Sequence, residues 1–126
     1  MLRTPPIPKP VRRLPSGRIP RAAIRQYVNQ IVEKFHPDKV ILFGSHAYGK
    51  PDDGSDVDLL VVMPAKNELS RSIRIRQALW APFPMDLIVY RPDTLAKWLA
   101  WEDPYLTEIV DKGVVLHEAG HTRLSS

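Results

Sequence analysis

The sequence predicts an α+β domain with α/β-like alternation: a small mixed β-sheet flanked by helices. Three observations predict it. Short apolar runs at 39–43 and 56–63 have the length of buried strands. Between and around them, apolar residues recur at three- and four-residue intervals, as on one face of a helix. Strands and helices then alternate along the chain with no internal repeat, which favours a sheet with helices packed against it.

Taken in order, residues 21–35 place Ile24, Tyr27, Val28, Ile31, Val32 and Phe35 on one helical face, and His36-Pro37 ends the helix. Residues 39–43 (KVILF) read as a strand, Gly44-Ser45 as a tight turn, and 50–55 (KPDDGS) as a polar loop. The second strand is expected over 56–63 and a helix from 67 to about 80. A third strand follows over 83–90, and Pro92, Asp93 and Thr94 open a helix running to about residue 101. A short helix over 104–112, Gly113 and a last strand over 114–117 complete the body.

The chain has 126 residues and 44% hydrophobic composition, enough for one modest domain over 21–118 with a flexible tail at 119–126. It has no cysteine, which excludes disulfides, thiolate metal sites and thiol nucleophiles and is compatible with a cytoplasmic location. The longest apolar run is too short to span a membrane, so no membrane partner is expected. The formal net charge of +4 is unevenly placed: residues 1–25 hold seven cations and no acid, leaving the remainder at −3. Six of the thirteen prolines fall within residues 1–20, so this segment is expected to be an extended, polyproline-like arm, most simply a solvated basic tail. No apolar stretch follows Arg12-Arg13, which argues against export. A mildly acidic body argues against nucleic-acid binding except through the arm.

The chemistry is concentrated in Gly44-Ser45, followed ten residues later by Asp56-Val57-Asp58, with Asp86 inside a later apolar strand. In a strand, alternate side chains share a face, so Asp56 and Asp58 would project together, about 7 Å apart. Should the 83–90 strand lie alongside, about 5 Å away, Asp86 would bring a third carboxylate. Three such acids repel one another unless a cation neutralises them, and hard oxygen donors suit Mg²⁺. Two ions, with Asp56 and Asp58 bridging and Asp86 on the nucleophile side, would activate a hydroxyl and hold a triphosphate. Gly44 would let backbone approach a phosphate, and the Ser45 hydroxyl could donate to it. A lone Gly-Ser is usually only a turn, and a lone DxD usually a solvated strand end. An acid between Met85 and Leu87 is harder to dismiss, because unpaired buried charge is costly. The conjunction favours a site.

Residues 40–62, VILFGSHAYGKPDDGSDVDLLVV, together with PMDLIVY at 84–90, resemble the signature of the DNA polymerase β-like nucleotidyltransferase superfamily, in its minimal nucleotidyltransferase (MNT) branch. The resemblance covers residues 21 to about 118 and leaves the arm outside. It implies the polymerase β-like nucleotidyltransferase fold and Mg²⁺-dependent transfer of a nucleoside monophosphate from ATP to a hydroxyl. By position, Gly44 and Ser45 match the nucleotide-binding turn, and Asp56, Asp58 and Asp86 the catalytic metal ligands. It further implies a HEPN-domain toxin as partner, the chain acting as an antitoxin that adenylylates it, in a homo- or hetero-oligomer. Large relatives carry a second domain for the acceptor, which this length does not accommodate, so an open or shared acceptor site is expected. Two rival readings are a non-catalytic antitoxin that works by occlusion and a small-molecule (aminoglycoside) nucleotidyltransferase.

Other residues have plainer readings. Arg71 and Arg74 suggest a solvated basic face, with Arg76 on another side of the same helix. Trp98 and Trp101 suggest packing at a helix end, with a partner anchor as the sharper alternative. The four histidines show no metal-ligand spacing.

Overall fold

A computed structural model describes residues 7–52 and 54–120. Its elements run α1 (Arg21–Phe35), β1 (Lys39–Phe43), α2 (Ser45–Tyr48), β2 (Val57–Val62), α3 (Glu68–Ala78), β3 (Met85–Tyr90), α4 (Pro92–Ala100), α5 (Pro104–Lys112) and β4 (Val114–Glu118). The architecture is α+β, with one four-stranded mixed sheet in the order β3-β2-β1-β4. β1 pairs antiparallel with both β2 and β4, whereas β2 and β3 are parallel and joined through α3. No helix among the described residues is long and apolar enough to cross a membrane.

The continuous apolar character of β1 and β2 has a physical reason: helices cover both sheet faces. On one face Val40, Leu42, Leu59, Val61, Leu87 and Val89 pack with Ile24, Tyr27, Val28 and Ile31 of α1 and Ile75 of α3. On the other, Ile41, Phe43, Leu60 and Val62 meet Leu95 of α4 and Leu106 and Ile109 of α5. Alternation along each strand therefore divides the core into two layers.

The helix ends follow from local chemistry. His36 takes a left-handed conformation (φ 51°) ahead of Pro37, and its N–H donates to the Val32 carbonyl. Asn67 caps α3 by accepting from the Ser70 N–H at 2.8 Å, and Asp103 caps α5 by accepting from the Leu106 N–H at 2.9 Å. α3 and β2 lie one or two residues inside the bounds expected from sequence, and β3 starts at Met85 rather than 83.

Residues 11–20 require a correction to the expectation of a solvated tail. The Val11 N–H donates to the Pro82 carbonyl, residues 14–18 fold into a turn, and Ile19 is buried in the core. Ile19 supplies apolar area, and Arg13 and Arg18 donate to backbone carbonyls of the body. Residues 1–6 and 121–126 of the expected arm and tail lie outside the described residues. Trp98 and Trp101 are both exposed rather than core, with their rings edge-to-face at 5.5 Å and the Lys97 ammonium over each.

One polar contact ties α1 to the end of α3: the buried Tyr27 hydroxyl donates to the Leu79 carbonyl at 2.6 Å. Burial pushes its pKa up to about 12, so it remains a donor at any physiological pH. Tyr27→Phe leaves that carbonyl without its donor, and urea unfolding should show a loss of about 1–2 kcal/mol.

Candidate active site

The parallel pairing of β2 with β3 makes Asp58 and Asp86 register partners. Asp58 shares its face with Leu60 and Val62, and Asp86 shares its face with Ile88 and Tyr90, so both acids lie on the α4/α5 side of the sheet. The pairing register of β1 with β2 sets Phe43 on the other side of Asp58. Tyr105, at the start of α5, stands edge-on to Phe43 with ring centroids 6.2 Å apart and remains half exposed. Burial, followed by the Asp58 and Asp86 charges, raises its hydroxyl pKa.

Asp56 lies one residue before β2, and its carbonyl accepts from His46 Nδ1–H at 3.0 Å. The ladder starts instead where the Val57 N–H donates to the Pro84 carbonyl. The Asp56 side chain is exposed. It is nevertheless close enough to act on Asp58, whose pKa is pushed up to about 6 by burial, then by Asp86 and then by Asp56.

Gly44 is required here. Its backbone lies at φ 76°, ψ −160°, a region open essentially only to glycine, and a Cβ would fall within the Asp58 carboxylate. Its carbonyl accepts from the Ala47 and Tyr48 N–H groups, closing the single turn of α2, which Ser45 opens half-buried. Downstream, Asp52 Oδ1 accepts from the Gly54 N–H at 2.8 Å and from the Ser55 hydroxyl at 3.2 Å. Those bonds hold the Asp52 carboxyl below its usual range. His46 is buried, its pKa is lowered first by desolvation, and its Nε2 has no hydrogen-bond partner among the described residues.

Asp86 also has a cationic neighbour. Arg76 Nη1 lies 3.4 Å from its Oδ1, and Arg76 Nη2 donates to the Met85 carbonyl at 3.2 Å. Among the described residues, no three His, Cys, Asp or Glu side chains form a group that could hold a metal ion by themselves. The Arg76–Asp86 pair is 44% and 59% exposed, and such pairs contribute about 0–1 kcal/mol, so an incoming cation displaces Arg76 at small cost. The donors are hard carboxylate oxygens around an uncompensated charge at Asp58. They fit a Mg²⁺ ion that completes its shell with water and substrate phosphate, rather than one enclosed by protein.

Sequence reasoning did not single out Tyr105, the engagement of Arg76 or the buried state of His46. The apolar spacing of α5 locates Leu106 and Ile109 but carries no signal for a ring set edge-on to Phe43. Arg76 is one of several arginines on α3, and only the β3 edge distinguishes it.

Two outcomes follow from this geometry. Gly44→Ala should cost about 1–3 kcal/mol in chemical denaturation, since it adds backbone strain and displaces a carboxylate. A raised pKa in the folded state means that the Asp58 contribution to stability is fully present below pH 3.8 and lost as pH rises through about 6. Asp58→Asn should therefore raise the Tm in EDTA at pH 8, and the gain should vanish below pH 4. Differential scanning calorimetry across that range checks the sign.

Residues 24–114 match the family model described as the nucleotidyltransferase domain, a span that contains Gly44, Ser45, Asp56, Asp58 and Asp86. The fold is similar to the crystal structure of a candidate nucleotidyltransferase from Sulfolobus solfataricus, with a TM-score of 0.56 and 19% identity over 79% of this chain and 81% of that one. No curated protein matches the sequence.

Proposed function

The chain belongs to the nucleotidyltransferase domain family, and from that premise we propose that it transfers AMP from ATP to a hydroxyl of a protein partner, a HEPN-type toxin that it thereby neutralises. The family gives nucleotidyl transfer. Mg²⁺, ATP, the protein acceptor and the antitoxin role are the proposed part. The observation that carries the reading is the register pairing of Asp58 with Asp86 around a charge that the protein leaves uncompensated.

Bound Mg²⁺ would offset that charge and make the α-phosphorus of the triphosphate more electrophilic. In the proposed reaction Asp56, Asp58 and Asp86 would hold the ion, Gly44 makes room for the Asp58 carboxylate, and Ser45 presents its hydroxyl to a phosphate oxygen. The acceptor oxygen attacks the α-phosphorus, the bond from that phosphorus to the bridging oxygen of the β-phosphate breaks, and pyrophosphate leaves. Asp86 accepts the proton of the attacking hydroxyl. Asp56, Asp86 and Tyr105 are exposed, which leaves this edge open to an acceptor arriving on another molecule. The exposed Trp98 and Trp101 support a macromolecular partner, since such aromatic side chains are favoured anchors at interfaces.

A second reading, neutralisation by occlusion without catalysis, is favoured by the Arg76–Asp86 pair and by the lack of a self-sufficient metal group among the described residues. One experiment separates the two. The chain is incubated with α-labelled ATP, Mg²⁺ and the product of its neighbouring reading frame, with the other three nucleoside triphosphates in parallel. Label should reach the partner with ATP, and Asp58→Asn should lower the rate by at least about 10³-fold while the circular dichroism spectrum is retained. Neutralisation of the partner without any label transfer would establish occlusion instead.

A further inference from the structure

Five hydrogen bonds cross from residues 13–21 to the segment between Ser45 and Asp56. Arg13 donates from Nη1 to the Asp52 carbonyl at 3.1 Å and from Nη2 to the Ser55 carbonyl at 2.7 Å. Arg18 donates from Nη1 to the His46 carbonyl at 3.4 Å and from Nη2 to the Gly49 carbonyl at 3.2 Å. Arg21 donates to the same His46 carbonyl at 3.3 Å. None of the three arginines forms an ion pair within 4.0 Å among the described residues, and Arg13 acts on the Asp52 carboxylate only from a distance.

Steric fit supports the same contact. A turn, closed by the Gly17 N–H to the Leu14 carbonyl and the Leu14 N–H to the Arg18 carbonyl, presents Gly17 at φ 88° to the loop. A Cβ at Gly17 would meet the Pro51 carbonyl oxygen at 3.0 Å and the Asp52 backbone at 3.1 Å, so no larger residue fits without displacing the loop. Arg13 itself closes back onto the Gly17 carbonyl at 2.7 Å, and Ile19 is buried in the core. The segment is therefore anchored at one end by burial and aimed at the loop by its guanidinium groups.

We propose that Arg13, Arg18 and Arg21 are positioning residues that clamp the loop between Ser45 and Asp56 and so hold the nucleotide-binding turn and the Asp56 backbone in register for the triphosphate. The inference rests on the proposed nucleotidyl transfer for its link to nucleotide, but not for the clamp. All three arginines precede residue 24, where the family match begins. A planar guanidinium suits the task, because its fork reaches two carbonyls at once where an ammonium offers a single point of charge. Loop order of this kind acts mainly on substrate affinity, since a loop left free must be ordered when nucleotide binds.

The test uses the full chain and the double variant Arg13→Ala with Arg18→Ala, with Arg25→Ala on the exposed side of α1 as control. Hydrogen–deuterium exchange of peptides covering residues 46–55 should accelerate about tenfold in the double variant, with β1 and β2 unchanged. KM for the nucleoside triphosphate should rise at least about fivefold, with a smaller change in kcat. Unchanged exchange over 46–55, or acceleration spread equally through β1 and β2, would overturn the clamp. Faster loop exchange with an unaltered KM would overturn its link to nucleotide. If the wild-type chain turns over no triphosphate at all, the proposed function fails, and loop exchange still decides whether the clamp exists.

Discussion

The structure around this site depends on one constraint: the Asp58 carboxylate must occupy space that β1 vacates only by ending in glycine. Register brings Asp86 to the same level on β3, and Gly44 leaves the space that its missing side chain would have filled. The resulting charge is expensive, as the raised pKa of Asp58 shows. Folding tolerates it because two layers of apolar packing fix β1 and β2 in place. Stability accumulates in the core and is given up at one end of the sheet, where ligand chemistry requires poised charge.

The topology explains why the site is where it is. β2 and β3 are parallel neighbours, so their starts lie together, and β1 runs antiparallel, so its end arrives at the same edge. Three chain segments that are distant in sequence thus meet: the β1–α2 turn, the start of β2 and the start of β3. α5 adds Tyr105, the arm adds Arg13 and Arg18 to the loop, and α1 adds Arg21. Each arrives through a different local device, namely a helix cap at Asp103 and a glycine turn at Gly17.

Much of the fold was legible because its signals are local. The face containing Ile24, Tyr27, Val28 and Ile31 identifies α1, and the apolar runs identify β1 and β2. The adjacency of Asp58 and Asp86 followed from strand alternation together with one pairing assumption. The contact of His46 with the Asp56 carbonyl was not legible, since a buried imidazole reaching a carbonyl ten residues away leaves no periodic trace. The arm was misjudged for a related reason. Proline and arginine composition describes a solvated chain well until the arginines find backbone carbonyls on the body, and those carbonyls are gathered only once the loop has folded.

Mn²⁺ provides the most direct probe of the central claim, because it substitutes for Mg²⁺ among carboxylates and is visible by electron paramagnetic resonance. A titration would be run with a non-hydrolysable ATP analogue on the wild type and on Asp58→Asn. The account predicts Mn²⁺ bound in the presence of the analogue by the wild-type chain and at least about tenfold weaker binding by the variant. Equal binding by both chains, or none by either, would contradict it.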